Sequence, residues 1–433
     1  VQIDRARIST VNIAIERWLL VLAVVFLSVN FAALSLIRPD ETIGHLLTLL
    51  TWLGCAGTGH LLLNRYLPQR DPYLFAIGLF LCGWGLVVID RLIPLFADRQ
   101  SIWLIVSVAG MLIVAVRPEL LLWLRKYRYL WLIFGLVLLV STIILGANPS
   151  GQAGTPQLWL GFGTVFFQPS ELLKIILVAF LASYLSEQYP ILRADQLAFP
   201  RRSILFAPRI VGPIVLMWGI SMVILVWQRD LGTAMLFFLI FLLLLYVASG
   251  MKVVLFGGLV LILCAGLVGY ALFGVVQLRI DIWLSPWAEA EGRAYQIVQS
   301  LQAFASGGVF GQGIGQGSPF YVPVAHSDFV FAAIAEEWGF IGVVVLLSCL
   351  TVIVLRGFKI ALIHQQRPFY ALLAIGLSLI IAIQSLMICG GVLRVFPLTG
   401  VTLPFVSYGG SSLLTTFIIT GLLLRLSAIP EVV

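Results

Sequence analysis

Stretches of about 20 uninterrupted apolar residues recur from one end of this chain to the other, and no other feature narrows its fold as much. The first reads WLLVLAVVFLSVNFAALSLI from Trp18. A helix of that length crosses about 30 Å of hydrocarbon. In lipid it is also one of the few structures that satisfy their own backbone polar groups. Twelve spans are predicted, near residues 18–37, 45–64, 73–90, 102–117, 129–146, 171–186, 209–227, 231–249, 253–275, 329–355, 369–391 and 408–428. The second is the weakest, because it carries His45 and His60, and the sixth is short and holds Lys174. The runs are continuous, which excludes an outer-membrane barrel with its alternating pattern. The expected fold is therefore an all-α polytopic membrane protein of about twelve transmembrane helices. The first run is too long for the apolar part of a signal peptide and lacks an A-x-A cleavage site, so it is read as a span.

Charge agrees with this. Only 10% of the 433 residues are charged and 61% are hydrophobic, where a soluble domain carries about a quarter charged residues. The net charge of +7 suggests nucleic acid until its distribution is read. With the N-terminus in the cytoplasm, only Arg38, Arg91, Arg99, Lys174, Arg229, Arg279, Arg293 and Arg394 of the 26 basic residues fall outside the inner loops. That bias predicts cytoplasmic termini and explains the charge with no nucleic-acid partner. The five cysteines lie inside apolar runs without C-x-x-C spacing, and they read as packing residues.

Two outer segments are long. One is GANPSGQAGTPQLWLGFGTVFFQPS, residues 146–170, and the other is residues 276–327. The second is rich in aromatics and contains the helical-looking RAYQIVQSLQAF, which predicts an ordered segment at the bilayer interface. NRYLPQRDP separates a two-helix N-terminal part, 1–67, from the remainder, 68–433.

Five stretches carry polar chemistry. In FQPSELLK, Pro169 suits a first helical turn and Ser170 and Glu171 favour its start. Glu171 and Lys174, three residues apart, share a face and can pair. In WQRDLGTA, Asp230 is expected to cap the helix that follows. SGGVFGQGIGQGS, residues 306–318, exposes enough backbone N–H to cradle a diphosphate. It lacks the G-K-[ST] of a P-loop, and a flexible hinge is the simpler reading. Arg279 and Arg293 flank it, placed to meet an anionic headgroup or to reach lipid phosphates. VPVAHSDFVFAAIAEEWGF places His326, Ser327 and Asp328 at a helix entrance, where Ser327 or Asp328 would serve as cap. Glu336 and Glu337 follow about 12 Å further along, so at least one must face a polar interior or a partner, for which Lys174 is a candidate. A metal site from His326 and Asp328 matches no strong ligand spacing. Finally, SYGGSS, from Ser407 through Gly409 and Gly410, opens the last helix with residues small enough for close packing.

Taken in order, FQPSELLK, QRDLGTA, YQIVQSL…GGVFGQGIGQG, AHSDFVFAAIAEEWGFIG and PLTGVTLPFVSYGGSS resemble the SEDS proteins (shape, elongation, division and sporulation) over residues 73–428. These are peptidoglycan polymerases of the RodA/FtsW type. The resemblance implies a ten-helix core preceded here by two extra helices. It implies polymerisation of lipid II into β-1,4 glycan strands at the outer face of the bacterial cytoplasmic membrane, beside a class B penicillin-binding protein. It makes Asp328 the catalytic residue, with Glu171 and Lys174 lining the same cavity. Arg279, Arg293, Gln296, Gln299, His326, Ser327, Ser407, Gly409 and Gly410 are the expected substrate-binding residues. Three positions depart from the family pattern: Arg229 stands for its Pro, Val324 for its Glu and Gln157 for its Arg.

Asp328 is then expected as general base on the acceptor hydroxyl, and Lys174, held by Glu171, as the cation meeting the leaving diphosphate. Arg279 or a divalent cation, Mg2+ or Mn2+, would assist it. A carboxylate tightly paired to Lys174 would be a poor base, so Asp328 should have other neighbours. Two further readings suit many spans and buried charge: a lipid II flippase, and a scaffold that has lost catalysis, which the departures at Gln157 and Val324 permit.

Overall fold

The computed structural model describes residues 2–148, 157–163, 165–198, 219, 222, 223, 226–228 and 230–430. In chain order the helices are α1 (Gln2–Ile37), α2 (Thr42–Tyr66), α3 (Leu74–Leu92), α4 (Pro94–Val116), α5 (Glu119–Lys126) and α6 (Arg128–Leu145). Strands β1 (Gly146–Ala147), β2 (Trp159–Phe162) and β3 (Val165–Phe167) follow. Then come α7 (Pro169–Ala198), α8 (Leu231–Ser249), α9 (Lys252–Leu272), α10 (Gly274–Leu284), α11 (Tyr295–Gly307), α12 (Val330–Ile363), α13 (Pro368–Val392) and α14 (Gly410–Ser427). Eleven helices among the described residues are long and apolar enough to cross a membrane, so the chain is a multi-pass membrane protein. The expected span at 209–227 lies outside the described residues except at 219, 222, 223, 226 and 227.

The chain divides into two compact units. The first comprises Val1–Arg117, Val268–Arg356 and Gln384–Pro430. Within it α1 packs on α3, α2 on α4, and α14 on α4. Gly421 lets α14 approach α4, since a Cβ there would lie 2.6 Å from the Met111 carbonyl oxygen. The two N-terminal helices belong to this unit and are fastened by buried polar groups. Glu16 accepts from Arg70 Nε at 2.8 Å and pairs with His60 at 2.7 Å, and Asn64 Oδ1 accepts from Arg70 Nη2. Further along α2, His45 Nδ1 meets Asp90 Oδ2 at 2.7 Å. The histidines that make the second span look weak therefore have carboxylate partners on α1 and α3. Trp52 is buried, and its indole N–H donates to the Leu79 carbonyl at 2.9 Å.

The second unit comprises Pro118–Leu267 and Gly357–Ile383. Here α7 is the central helix, packed on α5, α6 and α8. Gly376 of α13 also lies against it, with room for a Cβ only 2.5 Å from Val178. The fold is helical as expected, with two additions. Glu119–Lys126 forms a short helix of its own, apolar on one side and ending in Arg125 and Lys126. Strands β1, β2 and β3 form a small antiparallel sheet in that order, with Leu160 opposite both Gly146 and Phe167. Val165, Phe166 and Phe167 are the β-branched and aromatic types that favour strands.

The long segment 276–327 is ordered. It consists of α10, a 3-10 turn at Pro286–Glu289, α11, the glycine-rich stretch and a second 3-10 turn at Pro319–Tyr321. The RAYQIVQSLQAF pattern is α11. Cys55, Cys82 and Cys389 are buried as packing residues, Cys349 is half-buried, and Cys264 is exposed on α9.

Candidate active site

In the first unit, the sequence places Asp328 just before α12. The helix starts at Val330, and the Phe329 carbonyl accepts from the N–H groups of Ala332 and Ala333. The cap expected of Ser327 or Asp328 is therefore not made. The Asp328 carboxylate instead accepts the Ser327 hydroxyl at 3.1 Å. Burial pushes this carboxyl above the usual carboxylate range, while the Ser327 hydrogen bond and the Arg279 charge pull the other way.

Arg279, on α10, donates from Nη1 to the Thr399 carbonyl at 3.2 Å. Gly400 follows with φ +72°, a left-handed conformation that favours glycine. A Cβ on Gly400 would lie 3.7 Å from Arg279 Nη2 and 3.9 Å from Asp328 Oδ2. The missing side chain therefore leaves an open, exposed gap flanked by a guanidinium and a carboxylate. Thr399 Oγ1 beside it is buried and has no hydrogen-bond partner among the described residues.

The start of α14 fixes the other side. Ser407 Oγ donates to the Ser327 carbonyl at 2.6 Å, and the Tyr408 N–H donates to the His326 carbonyl at 2.8 Å. The His326 ring lies edge-on to Phe96 and Tyr408, and burial lowers its affinity for a proton. Gly409 donates to Gln100 Oε1 at 3.3 Å, and Gly410 lies against Trp103 with no room for a Cβ. These two glycines thus make packing and backbone contacts. Val324 has φ +57°, where a β-branched residue is strained, four residues from Asp328. Arg293 forms an exposed pair with Glu289 on its own turn, and Gln296 is exposed on α11.

Glu336 and Glu337 differ from the expectation in their partner. Glu337 Oε1 lies 3.4 Å from Arg91 Nε, and Arg91 also donates to the Gly315 carbonyl at 3.0 Å. Lys174 is paired with Glu171 instead. The glycine-rich stretch is tied down rather than a free hinge, because four of its N–H groups are spent on this helix. Gly315 donates to Glu337 Oε1 at 3.0 Å and Ser318 to Glu336 Oε1 at 2.8 Å. Gln312 and Gly313 donate to the backbone carbonyls of Glu336 and Glu337. These bonds meet α12 at Gly339 (φ +65°), where a Cβ would lie 2.2 Å from the Gly311 nitrogen. The stretch is a strap clasped to a kink in α12.

In the second unit, Pro169 begins α7 as expected. Lys174 Nζ lies 2.7 Å from Glu171 Oε2, and both side chains are buried. Asp230 caps α8 through the Thr233 N–H at 3.2 Å. Burial raises its affinity for a proton, and it lies within electrostatic reach of both Glu171 and Lys174. QPSELLK and QRDLGTA are thus brought together, although Arg229 lies outside the described residues. Gln157 is exposed ahead of β2. Among the described residues no three His, Cys, Asp or Glu side chains cluster to hold a metal.

The sequence reading missed Arg91, Thr399 and Gly400. Arg91 had a signal: a basic residue beside Asp90 at the end of an apolar run needs a partner. Thr399 and Gly400 had none beyond an irregular PLTG turn.

The family of cell cycle proteins FtsW, RodA and SpoVE matches residues 84–430. The peptidoglycan glycosyltransferase RodA of Mycobacterium tuberculosis is 36% identical over 418 residues, covering 92% of this chain and 87% of that one. Stage V sporulation protein E of Bacillus subtilis is 34% identical over 336 residues, 77% of this chain and 87% of that one. Among solved structures, one of a peptidoglycan synthase complex that coordinates polymerization and crosslinking is similar with a TM-score of 0.67. It is 26% identical and covers 83% of this chain and 97% of that chain. Thermus thermophilus RodA matches with a TM-score of 0.59 at 25% identity, over 83% of this chain and 96% of that one.

Proposed function

This chain belongs to the FtsW/RodA/SpoVE family and is a peptidoglycan glycosyltransferase, and on that premise we propose that the gap over Gly400 is where its glycan strand is extended. The observation that carries the reading is the pairing of Asp328 and Arg279 across that gap. A base and a fixed cation flanking one open spot is what glycosyl transfer from a lipid diphosphate needs.

Asp328 takes the proton from the 4-hydroxyl of the acceptor GlcNAc. The freed oxygen attacks the anomeric carbon of the donor MurNAc, and the α bond to diphosphate breaks as the β-1,4 bond forms. The diphosphate leaves with the bonding electron pair and meets positive charge. Arg279 is assigned that role at the gap, and Lys174, oriented by Glu171, is assigned it by its motif. Burial keeps the Asp328 carboxyl basic, raising its proton affinity against the opposing pull of the Ser327 hydrogen bond and the Arg279 charge. Ser407 and Tyr408 hold the carbonyls of Ser327 and His326, and the Ser327 hydroxyl holds the carboxylate, so together they position the Asp328 segment. Arg293 and Gln296 of the α11 region are assigned to the headgroup sugars, Gln299 to sugars further along the strand, and Gly409 and Gly410 to the packing that sets the start of α14. A Mg2+ or Mn2+ ion arriving with the diphosphate would be held by Asp328 and phosphate oxygens, and would neutralise charge on the leaving group.

The substrate is lipid II, the membrane is the bacterial cytoplasmic one, and both termini face the cytoplasm, as the basic loops argue. The cross-linking partner is a class B penicillin-binding protein. The test is purified protein with lipid II in detergent. Glycan strands from the parent protein and none from Asp328→Ala of equal thermal stability support the reading. Strand synthesis by Asp328→Ala near the parent rate overturns it.

A further inference from the structure

A second concave site lies between α11 and the strap, in the same unit as Asp328. It has a volume of about 350 Å3, at the lower end of the range for small-molecule sites. Its wall is unusual in composition. Gln299, Gln302 and Gln316 line it, and the side-chain amides of all three have no hydrogen-bond partner among the described residues. Each amide offers two donors and an acceptor. Tyr321 adds an exposed aromatic ring, backed by Phe320 at 4.6 Å between centroids. Glu336 is buried in the same wall, with one oxygen held by the Ser318 N–H. No Lys or Arg lines the site.

We propose that this pocket is a distal subsite for the neutral GlcNAc units of the growing glycan strand, an inference that rests on the polymerase reading above. The lining decides the ligand class. Without a cation and with a carboxylate in its wall, the pocket disfavours a diphosphate and equally the carboxylates of a stem peptide. Amides with both donors and acceptors match hydroxyl and acetamido groups, and an exposed aromatic face suits the apolar side of a sugar ring. Position agrees: Val322 lines the pocket and lies six residues before Asp328, so the two are within about 20 Å at ~3.3 Å per residue. A strand held at the reacting centre would reach the pocket after a few sugars. Holding it there keeps the polymer bound between additions, which makes synthesis processive.

The test uses the full chain in detergent and the uncharged β-1,4-linked GlcNAc tetramer, titrated by ligand-observed NMR, alongside the length distribution of strands made from lipid II. Saturable binding is expected, weakened at least tenfold in Gln302→Ala/Gln316→Ala and in the pocket-filling Ser306→Phe. Both variants are expected to make shorter strands. Binding is expected to persist in Asp328→Asn, which separates the subsite from the chemistry. No saturable binding to the parent protein, binding unchanged in both pocket variants, or binding only to peptide-bearing fragments each overturns the proposal. If lipid II yields no strands with the parent protein, the polymerase reading fails, and that outcome is read separately from the titration.

Discussion

Two groups of carboxylates lie within ten residues of each other, and they are treated in opposite ways. Glu336 and Glu337 are met by fixed donors: the Gly315 and Ser318 N–H groups and the Arg91 guanidinium. Asp328 is met by one hydroxyl and faces Arg279 across a gap that a glycine keeps open. The first arrangement spends its acids on holding the strap to the kink at Gly339. The second leaves an acid with spare acceptor capacity beside exposed space. Asp328 is half-buried where Glu336 and Glu337 are buried, and the sharper difference between the structural acids and the reactive one is the supply of preset partners.

Loss of the reactive acid gives the largest expected effect on activity. Asp328→Asn should lower lipid II polymerisation by about 100- to 10,000-fold, the range a general base contributes. Its effect on stability has the opposite sign. The folded carboxyl holds its proton more tightly than the unfolded one, so its contribution to stability falls as pH rises from the ordinary Asp range through the folded value. Above the ordinary Asp range the carboxyl is a net cost to the fold, and the Asn variant should melt no lower than the parent. An Asn variant that polymerises at the parent rate would erase the contrast.

Glu337→Gln should do the reverse. Stranding the buried Arg91 charge costs about 3–5 kcal/mol, read as a lower melting temperature in detergent. Activity per folded molecule should stay near that of the parent, and Arg91→Met should fall in the same class.

Thr399→Val tests whether the gap has a third wall. Its buried hydroxyl lacks a partner among the described residues, and if it meets a substrate oxygen its loss should reduce kcat/KM by roughly 3- to 10-fold, one hydrogen bond's worth. An unchanged kcat/KM would confine the site to Asp328 and Arg279.

The smallest effect sharpens the electrostatics. Since Asp328 must be ionised to act, the acid limb of the pH–rate profile should lie above the ordinary Asp value of about 3.9. Ser327→Ala removes a hydrogen bond that holds the carboxyl down, so the limb should move further up in pH with little change on the plateau. Movement downward would mean that another group titrates.

How much of this could be read in advance depends on the range of each interaction. The spans were legible because an apolar run of membrane-crossing length is a local property. The Glu171–Lys174 pair and the Asp230 cap were legible for the same reason, since each joins residues three apart. The partner of Glu337 was not, because Arg91 lies on a different helix far away in sequence. The strap was misread because glycines advertise free N–H groups, while the acceptors that consume them, the carbonyls and carboxylates of α12, appear only once the chain folds. Asp328 was singled out correctly as an expensive charge, yet its cap reading failed because the helix begins two residues later. Gly400 carried no signal at all, since a glycine in a Pro-rich turn looks the same whether it bends the chain or clears a gap.

The most direct measurement compares Asp328→Asn and Glu337→Gln side by side, with single-turnover polymerisation of lipid II and the melting temperature taken on the same preparations. The account predicts a crossing: Asp328→Asn folded but inactive, Glu337→Gln less stable but active per folded molecule. A folded, inactive Glu337→Gln beside an active Asp328→Asn would contradict it.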